Sequence, residues 1–451
     1  MTGLAELRKA LTGDVIEPGA PGYETVRKPA MAQFWHVRPQ VVIRCASVDD
    51  VVRTLGFARE SGVHVVPRGG GHCFAGRSST DGIVLDLTPL RSISVSPTGM
   101  ATVGAGARLA DVYDALHEHG LTLPAGCGPS VGITGLTLGG GLGILGRKYG
   151  LTCDRLLGAQ VVLTDGRIVD CDADHEPDLF WALRGAGGGQ FGVVTSLAFD
   201  TVPEPDTTRF ELTWPAADAP AVIAAWQAWA ADAPDDLSAN LKLVAADGPV
   251  QVIMFGAMLG TQADTAAQIA ELVGRVGTHP QSETRAGLPY SELKRSLLGI
   301  GSAGQPEETV PIVSKSEFFR QSLPATAIAE LLDVFARDRP AGERRELNFT
   351  PMGGAYNRVP ADASAFVHRS ERFLLEHAAA HRESGKGAAT QWARRSRAIV
   401  HPWGSGRVYQ NFPDPDLTNW TEAYHGSNYS RLARLKRSYD PERLLHFHQA
   451  V

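Results

Sequence analysis

Cysteine is scarce. The five in 451 residues, Cys45, Cys73, Cys127, Cys153 and Cys171, show no Cys-x-x-Cys spacing, which argues against both a disulfide framework and a zinc site. A reducing compartment fits. No apolar run approaches the roughly eighteen residues that a membrane helix needs. The first thirteen residues mix acidic and basic side chains where a signal peptide requires an apolar segment. The expectation is a cytoplasmic protein with no membrane partner. Positive charge is also in short supply: 43 Lys and Arg stand against 49 Asp and Glu, giving a net charge of -6 and no basic footprint for nucleic acid. Internal repeats and low-complexity tracts are missing too. What remains is a chain with 43% hydrophobic and 20% charged residues, the balance of a soluble globular protein. Its length exceeds one ordinary core and suggests two domains or one elaborated domain.

Glycine, by contrast, is plentiful at 49 residues. The stretch from Val63 to Leu87 is the centre of the pattern. Val63 to Val66 and Ile83 to Leu87 read as short buried strands, bounded by Pro67 and by Asp81-Gly82. Between them Gly69, Gly70 and Gly71 offer consecutive backbone N–H groups with no Cβ in the way, which is how a loop approaches and cradles a pyrophosphate. Arg68 adds charge, and Ser78 and Ser79 add hydroxyls. Taken alone, the three glycines are equally a flexible turn beside a surface histidine, His72.

Upstream, V-V-I-R-C reads as a strand, and Ser47 is an N-cap with Asp50 three residues on. Val48, Val51, Val52 and Leu55 then recur at helical spacing until Gly62. A second unit follows, with strand A-T-V-G-A-G, a helix from about Leu109 to His119, and a glycine-rich run. Within that run Gly141 to Gly146 spells G-x-G-x-x-G. A nicotinamide site needs a strand directly before the first glycine, and Thr137-Leu138-Gly139-Gly140 cannot supply one, which argues against that motif and leaves a nicotinamide-dependent dehydrogenase the lesser alternative. So many glycines read instead as backbone passing close to a flat ligand. Leu156 to Leu163 is expected as a strand, Asp165-Gly166 as a turn and Arg167 to Asp170 as the return. Leu179, Phe180, Trp181 and Leu183 read as a buried helix face. Prolines and acids from Val202 to Asp206 mark a boundary. Beyond it, strands Phe210 to Trp214, Leu241 to Val244 and Val250 to Leu259 alternate with helices Ala219 to Ala230 and Asp264 to Val276.

The segments Arg68 to His72, Gly76 to Ser78 and Val84 to Leu87 resemble the phosphate loop of FAD-linked oxidases of the vanillyl-alcohol-oxidase type, berberine-bridge-enzyme-like branch. The pattern there is R-x-G-G-H, then G-x-S, then a strand ending in D-L; in this chain the x position is itself a glycine, Gly69. Residues 178–195 resemble the family's D-L-F-W-A-L-R-G segment that ends in F-G-V-V-T. The tail resembles its C-terminal segment through Tyr409-Gln410-Asn411, Trp420, Asn428 and Lys436 to Pro441. Nearly the whole chain is covered.

The resemblance implies an α+β fold. A two-subdomain PCMH-type FAD-binding domain would occupy residues 1–206, with a core at about 36–206, and a BBE-like segment at 399–451 would complete it. The substrate domain, 207–398, would present an antiparallel sheet flanked by helices. Met352 to Pro360 and Phe366 to Arg369 resemble a strand and strand-end of that domain. Further implications are FAD bonded through its 8α-methyl to His72, with Arg68, Gly69, Gly70, Gly71, Gly76 and Ser78 around the phosphates. Cys127 becomes the candidate for a second bond at ring carbon 6, although Gly128 separates it here from Pro129; read by itself it is a small buried thiol. Val131, Gly132, Thr134, Gly135, Gly139, Gly140 and Gly143 would line the cofactor, with Val131 at the ring edge where dioxygen reacts. Phe191, Gly192 and Val193 would meet the adenine and diphosphate. Tyr409 takes the position of the catalytic base, with Asn411 beside it; without the motif it would be a packing tyrosine with a satisfied hydroxyl. The implied activity is hydride transfer from an alcohol-type small molecule to covalent FAD, with dioxygen giving hydrogen peroxide. An FAD-dependent dehydrogenase, an oxidative cyclase, an amine oxidase or a non-redox lyase on the same fold stays open, as does the substrate.

Overall fold

Residues 3–298, 300 and 310–451 are described by a computed structural model. The expected capping box forms: Asp50 N–H donates to Ser47 Oγ at 3.2 Å while the Asp50 carboxylate accepts from Ser47 N–H at 3.1 Å. It starts the helix Val48–Ser61, which ends at Gly62 with φ 66°. Its buried stripe of Val51, Leu55 and Ala58 packs on a four-stranded sheet. In that sheet Val41–Arg44 and Val65–Arg68 run parallel to Ile83–Asp86 between them, with Asp14–Ile16 antiparallel at the edge. The register sets Arg44 and Arg68 on either side of Asp86. The glycine loop therefore leaves from the carboxyl end of the sheet.

A five-stranded antiparallel sheet comes next, in the order Ile93–Val95, Met100–Gly104, Val193–Asp200, Leu156–Val162, Ile168–Asp172. Leu109–His117 and Pro177–Leu183 bury their apolar sides in its core. The residues before Gly141 form the helix Ile133–Leu138, not a strand. Between Pro203 and Asp206 the chain crosses into a seven-stranded antiparallel sheet. The helices Ala219–Trp229, Gln262–Val276, Ala325–Ala336 and Lys386–Val400 cover one face of it. Strand alternation fills that face with Phe210, Leu212, Leu241, Met254, Phe349, Phe373 and Leu375. Tyr429–Tyr439 brings the tail back to the first part of the molecule, where Arg431 lies over the Trp181 ring at 4.0 Å.

One expectation is corrected. The strand of that region is Arg344–Pro351, while Met352 to Pro360 is a turn and the short helix Ala355–Arg358. Gly353 and Gly354, at φ 86° and 54°, take the chain out of extended geometry. Phe366 to Arg369 is loop, because Phe366 N–H is held by Arg184 O at 3.1 Å instead of a ladder partner. No helix among the described residues is long and apolar enough to cross a membrane.

Candidate flavin site

The loop after Arg68 is held from behind. The Arg68 guanidinium donates to Ser78 O at 2.9 Å, Val26 O at 2.7 Å and Arg27 O at 3.0 Å. The guanidinium thus pins the two ends of the loop together with three of its five N–H donors. Within the loop, no backbone acceptor among the described residues takes the N–H of Gly69, Gly70 or Gly71. The Ser78 and Ser79 hydroxyls are buried without a partner. Such groups are costly unless something accepts from them, and a diphosphate would. Gly76, at φ 71°, lies so close to the Phe34 ring that a Cβ would sit 2.6 Å from it.

The second glycine segment meets the first back to back. A Cβ on Gly70 would fall 2.2 Å from Gly132 N, and one on Gly132 would fall 2.4 Å from Gly70 N. Gly128 accepts from Val131 N–H at 3.3 Å, so the extra residue after Cys127 closes a turn with Pro129 at its second position. The turn sets Ser130 Oγ 3.0 Å from His72 Nε2. Thr134 is tied to Ala105 O at 3.0 Å, whereas Gly135 is exposed and a Cβ there would meet open space. At Gly143 a Cβ would strike Ala125 O at 2.1 Å. The side chains of Phe191 and Val193 are buried in the core, so they can offer a cofactor only backbone; a Cβ on Gly192 would press on Val161 at 2.5 Å.

Tyr409 comes from the tail into this segment. Its oxygen receives N–H donation from Gly141 at 3.0 Å, Leu142 at 3.2 Å and Asn411 Nδ2 at 3.0 Å. Asn411 is itself oriented by Leu136 O at 2.9 Å and lies against Gly139, where a Cβ would be 2.0 Å from Asn411 Oδ1. Gly140, at φ 116°, has the Phe366 ring where a Cβ would go. Burial outweighs the three donors, which pull the other way, and leaves the Tyr409 phenol raised to about 12.

Comparison with known proteins follows the same outline. Residues 39–172 match the family described as FAD binding domain, and residues 408–451 match Berberine and berberine like. Over 98% of its length the chain is 31% identical to an uncharacterised FAD-linked oxidoreductase of Bacillus subtilis, covering 97% of that protein. The chain belongs to the berberine-bridge-enzyme-like FAD-linked oxidoreductases. It is 31% identical to (R)-6-hydroxynicotine oxidase of Paenarthrobacter nicotinovorans over 96% of this chain and 95% of that one. To a chitooligosaccharide oxidase of Gibberella zeae it is 29% identical, over 92% and 87%. The solved structure of BBE-like 1 from Physcomitrella patens matches it with a TM-score of 0.91 at 26% identity, covering 100% of this chain and 99% of that one. The glycine loops, the orphaned hydroxyls and this kinship agree on FAD as cofactor.

In this FAD-linked oxidoreductase the face of the seven-stranded sheet opposite the helices adds residues that sequence reasoning missed. Phe318 and Leu374 pack with Tyr409, the Phe318 and Tyr409 rings being 6.2 Å apart. One alternation further along the paired strands stand Ser316 and Glu376, and Asn348 faces Glu376 from the next strand. Glu376 accepts from Ser314 Oγ at 2.6 Å and from Asn348 Nδ2 at 3.2 Å, and burial raises its carboxyl to about 7. Ser316 Oγ and Asn348 Oδ1 are buried without partners. The signal for these residues is tertiary: Ser314 and Glu376 are 62 positions apart. Lys294, also missed, reaches Cys127 from a helix of the 207–398 region.

Proposed function

We propose that this oxidoreductase oxidises an alcohol carbon of a polyhydroxylated small molecule, with Tyr409 as base and dioxygen as final acceptor, releasing hydrogen peroxide. The observation that carries the reading is the convergence of three N–H donors on the Tyr409 oxygen. An alcohol C–H gives up hydride readily only as its O–H proton leaves, so a base must stand within hydrogen-bond reach of that oxygen. FAD, when bound, supplies the hydride acceptor. Tyrosine ordinarily titrates near pH 10 and is a poor base unless its anion is stabilised. A neutral phenol accepts at most two hydrogen bonds and needs an acceptor for its own proton. A phenolate accepts three, and three donors stand there with no acceptor for the proton among the described residues. His72 is read as the covalent anchor at the 8α-methyl, steadied by Ser130, and Cys127 as the second anchor at ring carbon 6.

The substrate class is supported by the unpartnered Ser316 hydroxyl and Asn348 carbonyl on the sheet face, which suit hydroxyl groups, and by similarity to the chitooligosaccharide oxidase. Residues 1–206 with 399–451 are read as the cofactor unit and 207–398 as the substrate unit. Five unpaired thiols support a reducing, cytoplasmic setting. A second reading, with Glu376 as base, is favoured by its carboxyl titrating at about 7, where a general base works best.

The test is the anaerobic flavin reduction rate of Tyr409→Phe with saturating chitooligosaccharide or another donor that bleaches the wild type. Losing the base should slow that step roughly a hundredfold or more, with flavin content and reoxidation unchanged. A rate within a few fold of wild type would rule out Tyr409 and leave Glu376 as the base.

A further inference from the structure

Lys294 is buried in the last turn of Tyr290–Ser296, between the rings of Tyr113 at 4.7 Å and Tyr290 at 5.3 Å. An ammonium group has three N–H donors. One goes to Ala125 O at 3.0 Å, one to Gly126 O, and the third to Cys127 Sγ at 3.4 Å. Gly126 O also accepts from Tyr113 OH at 2.8 Å, so the backbone leading into Cys127 is clamped from two sides. Among the described residues Lys294 has no carboxylate partner. A buried ammonium without an anion is expensive, since neither carbonyls nor aromatic faces replace a countercharge. Burial holds the Tyr113 and Tyr290 phenols beside it well above the usual tyrosine value, which leaves the sulfur as the neighbour to carry a negative charge. Burial pulls the Lys294 ammonium below the usual lysine value, and the adjacent Cys127 sulfur pushes it back up.

We propose that Lys294 is the positioning residue for Cys127: it orients the sulfur and compensates the charge of its thiolate, so that the sulfur can be bonded to the flavin. This rests on the reading of Cys127 as second anchor. In the bond-forming step the thiolate adds to ring carbon 6, a C–S bond forms and the C6–H bond breaks with loss of its proton. The electron pair of that bond stays on the ring system and is taken up by dioxygen. The sum is thiol plus flavin plus dioxygen giving thioether plus hydrogen peroxide, so the two hydrogens leave from sulfur and carbon. The lysine reaches across from the substrate region, so attachment of the sulfur requires that region to be docked on the second glycine segment. His72 stands on the first loop and is held by Ser130 of the second segment, at 3.0 Å.

The experiment is peptide mapping of denatured, protease-digested protein purified with its flavin, comparing wild type, Lys294→Met and Lys294→Arg. In the wild type, flavin should link the His72 peptide to the Cys127 peptide. In Lys294→Met the share of Cys127 peptide carrying flavin should fall roughly tenfold or more, the scale of losing a hydrogen bond from a charged donor. The His72 peptide should keep its flavin, which certifies that the variant has folded. Lys294→Arg, retaining charge, should recover part of the loss. Lys294→Met that keeps both links overturns the proposal, and loss of both links together makes Lys294 a packing residue. A wild type linked through His72 alone overturns it as well, while leaving the hydride-transfer reading intact.

Discussion

Glu376 and His377 are neighbours on one strand, Phe373–Ala380, and alternation sends them to opposite faces of the sheet. Glu376 turns to the side shared with Phe318 and Tyr409, His377 to the side covered by helices, where its Nδ1 meets Ser396 Oγ at 2.8 Å. Burial disfavours the charged form of both, which moves them in opposite senses. It lifts the Glu376 carboxyl to about 7 and depresses His377 to about 3, with Arg397 and Lys315 adding repulsion to the histidine. One face treats a protein's charge-averse interior as scaffold, and the other uses it to set a carboxyl near neutrality. The same β-ladder therefore carries two kinds of residue, those probed by stability and those probed by rate.

Three substitutions sharpen or break that division. The largest effect belongs to the helix-covered face. Trp226 packs on Phe349 and Phe373 at ring distances of 5.6 and 5.8 Å, and its indole N–H donates to Ala239 O at 2.8 Å. Trp226→Ala should cost about 3–5 kcal/mol in denaturant unfolding, while protein that remains folded reduces its flavin at close to the wild-type rate. A selective loss of reduction rate would break the division.

Glu376→Gln comes next and should act through pH. The folded state keeps its proton above the ordinary carboxyl value of 4.5, up to about 7, so its stabilising contribution is complete below 4.5 and is lost as pH rises through 7. Unfolding measured from pH 4 to 8 should show the variant gaining on wild type across that interval and keeping a constant lead above it. Parallel curves at every pH would mean that the carboxyl is not held protonated.

The smallest effect is Ser396→Ala, about 1–2 kcal/mol from leaving the buried His377 Nδ1 without its partner. For this histidine the window is reversed: stability is complete above 6.5 and lost as pH falls toward about 3. Acid unfolding of wild type should therefore steepen below pH 6.5, and His377→Gln should flatten that limb.

Local features were legible in the sequence because their partners lie within a few residues. Ser47 and Asp50 form the capping box by themselves, Gly62 ends the helix, and the lack of a strand before Gly141 could be read directly. The pairing of Tyr409 with the Gly141–Leu142 backbone spans 268 residues; motif resemblance pointed to Tyr409 as base but not to these donors. Arg68 was visible as a charge, but not that carbonyls of Val26, Arg27 and Ser78 would take three of its five donors. F-L-L-E-H-A reads as any half-buried strand, so Glu376 carried no mark. Y-S-E-L-K-R-S reads as a surface helix, and Lys294 becomes unusual only once Ala125 and Cys127 are folded against it.

The contact between Gly70 and Gly132 limits how this site can drift in evolution. Compensating substitutions in a packed interior work by exchanging volume, one side chain growing as its neighbour shrinks. Two glycines whose backbones touch hold no side-chain volume to exchange, and a Cβ on either would lie within 2.4 Å of a backbone nitrogen of the other. A methyl group at one position thus has no partner able to make room for it. A library randomised at both positions should return glycine at each, independently, with no coupled pairs, so covariation would be silent at the place where the two cofactor segments meet.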